Sequence, residues 1–158
     1  MRYVSIPVLL ACVMASTAAD DAKQKAVAKD VKLLEGAWKV TSIVQGGKEQ
    51  AEDVLGETMT FKDGKLTVRG NQDGDEPVVE LFRLDPTCDP KVIDFDDVGR
   101  GFKDAESVAE GVYKIDGDTL TLCIHWEEGR GAAKANRPVA LESKEGSKAR
   151  LITLKRQK

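Results

Sequence analysis

Past Gly36 the apolar residues recur at every second position, and turn signals cut that alternation into short runs. A period of two puts successive side chains on opposite faces of an extended strand, so each run offers one oily face to a core. The runs are 37–44, 58–62, the stretch from Lys65, 78–84, 92–95, 108–115, 119–126, a short and weak 138–141, and the closing 149–155. About eight strands in succession, with no helical pattern between them, predict an all-β sandwich or barrel.

The segment Phe61-Lys62-Asp63-Gly64-Lys65-Leu66 is the sharpest local signal. Asp-Gly is a preferred two-residue hairpin turn. It sets Lys62 against Lys65, Phe61 against Leu66 and Met59 against Val68, so apolar residues meet on one face. Around Asp116-Gly117-Asp118, pairing Ile115 with Leu120 and Tyr113 with Leu122 again joins apolar faces, and a four-residue loop provides that register. Connections are short and consecutive strands usually pair. A meander of this length removes its open edges by closing. The expected fold is therefore an eight-stranded antiparallel up-and-down barrel with a short N-terminal helix.

The chain has 158 residues, 41% hydrophobic and 32% charged, which suits a single globular domain. Its net charge of −3 carries no basic excess of the kind that binds nucleic acid. Residues 1–19 stand apart. Arg2 precedes an apolar run over 4–15, and Ser16-Thr17-Ala18-Ala19 follows, the layout of a secretory signal peptide cut after Ala18 or Ala19. The run is too short for a transmembrane span and contains Pro7. Leu9-Leu10-Ala11-Cys12 also resembles a lipobox, so a lipid anchor through Cys12 is the alternative to a free periplasmic or extracellular product. Residues 20–35 read as a linker and short helix ending at Gly36, and 36–158 as the barrel domain.

Export permits a disulfide between Cys88 and Cys123. Two separate thiols, with Cys123 a small core filler, are the expectation. His125, the one histidine, shares a strand face with Cys123, but a Cys–His nucleophile also needs an orienting third group and oxyanion donors. Asp94, Asp96 and Asp97 do not fit a calcium loop, because the fifth and twelfth positions counted from Asp94 are Val98 and Ala105; they read as a solvated acidic loop. Gly99-Arg100-Gly101 and Gly129-Arg130-Gly131 lack the third glycine of a dinucleotide loop. No residue set for catalysis is visible, and no metal or cofactor is called for.

Gly36-Ala37-Trp38 resembles the G-x-W signature of lipocalins. The series Leu34 to Val40, Phe61 to Gly64, Ile93-Asp94, Gly111 to Leu120, Leu122-Cys123, Arg137-Pro138 and Leu154-Lys155-Arg156 resembles a lipocalin-like domain family of unknown function, found chiefly in planctomycetes and often behind a signal peptide. The resemblance implies an exported lipocalin-like barrel and no activity. It implies that Trp38 packs under Arg156 at the barrel floor, an arrangement that a guanidinium stacked on an indole makes physically sound. The 127–137 loop and Cys88 depart from the family pattern.

Trp38, Val40, Met59, Phe61, Val68, Phe82, Tyr113 and Leu122 are the candidate interior residues. Together they either line a cavity for a small apolar or amphipathic ligand or fill the barrel outright. The first alternative is an exported, non-enzymatic binding module with Arg100 and Arg130 near its mouth. The second is a cell-envelope protein-interaction or inhibitor module.

Overall fold

A computed structural model describes residues 14–50, 56–70, 74, 76–103, 109–125 and 137–158. One helix, α1 (Met14–Leu34), precedes nine strands: β1 (Gly36–Gln45), β2 (Lys48–Glu49), β3 (Thr58–Lys62), β4 (Lys65–Arg69), β5 (Val78–Asp85), β6 (Lys91–Asp97), β7 (Ala109–Asp116), β8 (Thr119–His125) and β9 (Ala149–Arg156). Strands β3 to β9 pair with their chain neighbours, β1 pairs with β3, and β9 returns to β1. All pairings are antiparallel. The result is a closed eight-stranded up-and-down barrel of the lipocalin-like kind, with β2 a short flap hydrogen-bonded to the end of β1.

The local chemistry explains the register. Asp63 and Gly64 both take positive φ, 51° and 73°, as the twist-matched Asp-Gly hairpin requires. Lys62 meets Lys65, Phe61 meets Leu66 and Met59 meets Val68, as expected. Ile115 likewise meets Leu120, and Tyr113 meets Leu122. The loop between them is tighter than the expected four residues. Asp116 also pairs with Thr119, leaving Gly117-Asp118 as the turn, and Gly117 takes the positive φ of 57°.

Three other expectations change. Strict alternation from Trp38 and Val40 would put Val44 on the core face; Ile43 faces it instead, because the register between β1 and β9 shifts from Val40–Leu154 to Ser42–Thr153. Thr41 is the extra residue of a bulge, and a bulge reverses the facing of everything after it. Residues 48–49 form β2 instead of loop, because Gly46 and Gly47 both take positive φ and make a second tight hairpin. Residues 138–141 form no strand. Leu141 instead packs against the separate cluster of Val112, Cys123 and Ala149. The helix is also longer than expected: α1 begins at Met14 and crosses the expected cleavage position.

The main core lies inside the barrel and extends under α1 through Leu34 and Val31. Helix α1 is tied across one end. Lys91 Nζ and the Tyr113 hydroxyl both donate to Asp30 Oδ2, at 2.6 and 2.7 Å, and Lys23 reaches Asp85 at 2.6 Å. Lys23, with help from Thr87, holds the Asp85 carboxyl down at about 2, but this surface pair adds little to stability.

Candidate functional site

The end of the barrel beneath α1 is a closed floor. Trp38 is fully buried and its indole Nε1 donates to the Leu34 carbonyl at 2.8 Å. Arg156 Cζ stands 4.0 Å from the Trp38 ring centre. Its guanidinium donates to the Glu35 carbonyl at 2.7 Å and to the Leu33 carbonyl. Carbonyls in the last turn of a helix have no partner within it, and a cation there also complements the helix dipole. The glycine of G-x-W has its own reason. Gly36 sits at φ +119°, and a Cβ on it would come within 3.1 Å of Arg156 Nη1.

Above this floor Phe61, Phe82 and Tyr113 pack in the closed half, outside the cavity lining. Phe61 and Phe82 meet edge to face, 5.4 Å between centres. Tyr113 is buried and bonded to Asp30; burial and that carboxylate both push its phenol above the ordinary value.

The open half is different. A cavity of about 220 Å³ lies there, walled by Ile43, Met59, Leu66, Val68, Leu122 and Ile152 among others, with Glu57, Glu80 and Arg150 completing its lining. Of the eight candidate interior residues, Met59, Val68 and Leu122 line this cavity. Trp38, Val40, Phe61, Phe82 and Tyr113 are core residues outside that lining. Arg100 belongs to the turn after β6, and Arg130 lies outside the described residues.

Glu57, Glu80 and Arg150 were not anticipated as lining. Strand parity carried the signal for two of them: Glu80 is two residues before Phe82, and Arg150 two before Ile152. Arg150 Nε and Nη2 both donate to Gln45 Oε1, at 3.3 and 3.2 Å. Glu80 pairs across the sheet with Leu66 on one side and Asp97 on the other. Its carboxyl is raised above the usual range, first by burial and then by Asp96 and Asp97. A carboxyl raised in the folded state binds its proton more tightly there than in the unfolded chain. Its contribution is therefore full below the ordinary glutamate range and declines as pH rises through the shifted value. Glu80→Gln should accordingly raise the melting temperature at pH 7.5 and flatten its decline above pH 4.5, as thermal scans across pH would show.

The polar groups outside the barrel are mostly structural. Asp94 and Asp96 are only 3% and 2% exposed, so these two are not solvated as expected, whereas Asp97 is exposed. Asp96 accepts from the Asp97 and Phe102 amides. Asp94 takes Arg83 Nε at 2.9 Å and Arg137 Nη1 at 2.6 Å, and Arg137 also holds Glu110. Cys88 and Cys123 are separate thiols. Cys123 is buried and its Sγ donates to the Glu142 carbonyl at 3.3 Å; burial raises its thiol, which suits packing and opposes nucleophilic use. The described residues hold no group of three or more His, Cys, Asp or Glu placed to bind a metal. No described helix is long and apolar enough to cross a membrane. Cys12 and residues 1–13 of the expected leader, 1–19, lie outside the described residues.

These features define a class: a closed antiparallel barrel, solid at its helix-capped end and hollow at the other. Comparison with protein-family models, curated proteins and solved structures gives no match to the chain.

Proposed function

We propose that this chain is an exported, non-enzymatic member of the lipocalin-like family, holding a small apolar or amphipathic ligand in the open half of its barrel. The supporting observation is the cavity itself. Its wall is largely apolar and its few charged groups lie at inward-facing positions near one end, the composition expected of a small-molecule site. At about 220 Å³ the cavity is at the small end for a ligand site and suits a short-chain molecule.

A six-carbon alcohol is the matching probe. Burying its chain is worth about 4–5 kcal/mol at ~0.8 kcal/mol per methylene, a Kd of roughly 0.2–1 mM. Titration of the full chain with hexanol, followed by amide chemical shifts, should give saturable changes at Leu66, Val68 and Leu122. Val68→Trp, which fills the cavity from its rim, should abolish them while the protein stays folded. Absence of saturable shifts in the unaltered chain would remove the ligand reading.

The cavity is smaller than the ~300–1,000 Å³ usual for ligand sites. That observation favours a second reading, a cell-envelope protein-interaction or inhibitor module in which the barrel is a scaffold. Recovery of one stoichiometric envelope protein, together with no hexanol binding, would select it.

A further inference from the structure

We propose that the cavity selects amphiphiles with a cationic head, and that Glu80 is the counter-charge; this rests on the ligand reading above. Three observations converge on the head group. The first is position. Glu80 lies on β5 between Val78 and Phe82 and opposite Leu66, so its carboxylate interrupts an apolar wall. A carboxylate in such a place is costly unless a cation or donor meets it.

The second is the absence of an internal partner. Among the described residues no hydrogen bond or ion pair reaches the Glu80 side chain, whereas the other acids near it are engaged. Asp96 accepts two backbone amides, and Asp97 Oδ1 accepts from the Gly99 amide at 2.7 Å. The third is the balance of charge. Two carboxylates, Glu57 and Glu80, and one guanidinium, Arg150, belong to the cavity lining, so its formal charge is negative. Asp97, across the ladder from Glu80, adds a further negative charge at the same end. An anionic head would meet repulsion at this wall. A primary ammonium would supply what the Glu80 carboxylate lacks, with its alkyl chain directed along Leu66 and Val68 into the hollow half.

The test compares hexylamine, hexanol and hexanoate, which share a chain and differ in the head, at pH 7.5 and low salt on the full chain. Hexylamine should bind at least 10-fold tighter than hexanol, and hexanoate weaker than either. Glu80→Gln should bring hexylamine to within about 2-fold of hexanol, both measured on the same variant. Saturable hexanol binding without a preference for the amine would overturn the head-group assignment and leave the cavity reading standing. An amine preference that survives Glu80→Gln would also overturn it. Failure of all three probes would overturn both readings together.

Discussion

Trp38→Ala should cost about 3–5 kcal/mol of stability, the usual range for removing a fully buried large aromatic side chain. At roughly 3 °C per kcal/mol for a domain of this size, the melting temperature should fall by about 10–15 °C. The loss has several parts. The cavity left at the floor is walled by core that can only partly collapse. The Leu34 carbonyl loses its indole donor. Arg156 loses the face on which it stacks while still bound to the helix carbonyls. Trp38→Phe keeps the ring and loses only the donor and some volume, so it should cost less than half as much. Denaturant melts of both variants check the ranking; an alanine variant within 1 kcal/mol of the parent would mean that the floor is not a stability centre.

Asp30→Ala should be nearly as damaging, by about 2–4 kcal/mol. The carboxylate is 3% exposed and receives both Lys91 and the Tyr113 hydroxyl on one oxygen. Removing it strands a buried phenol without an acceptor, the expensive half of a broken hydrogen bond. Lys91 is partly exposed and can return to water, which keeps the cost below that of a fully buried pair. Asp30→Asn retains an acceptor for Tyr113 and should recover more than half of the loss. Trp38 and Asp30 both fasten α1 to the same floor, so their effects should not add. If α1 detaches as a unit, the double alanine variant should lose clearly less than the sum, and amide exchange should accelerate along α1 before it does in β7 and β8.

The barrel was legible because its signals are local and redundant. The Asp63-Gly64 turn fixes one hairpin, and the apolar pairs on either side of it agree with the only register that turn allows. Five of the eight candidate interior residues are large core residues that fill the barrel outside the cavity lining, because hydrophobicity marks an inward face and says nothing of depth along the axis. Depth depends on how far each strand extends beyond the closed end, a property of the assembled sheet. The bulge at Thr41 left no mark in the pattern, since one unpaired residue changes facing without changing composition. The charged rim was missed for a related reason. Glu80 and Arg150 satisfy strand parity, but a search for oily positions passes over them. Arg137 and Asp94 are 43 positions apart, and nothing in either neighbourhood announces that a loop segment will lie across β6 and cover an aspartate.

The seam between β1 and β9 has a consequence for how the molecule comes into being. β1 is among the first parts of the domain to emerge from the ribosome, and its partner along most of its length is the last strand in the fold. Until β9 is available, one side of β1 has no mate, and the guanidinium that clasps α1 has not yet been made. Assembly must then wait on translation. A nascent chain halted before residue 149 should remain open along that border, prone to recruit a strand from a neighbour, and dependent on whatever factor shields it in the interval.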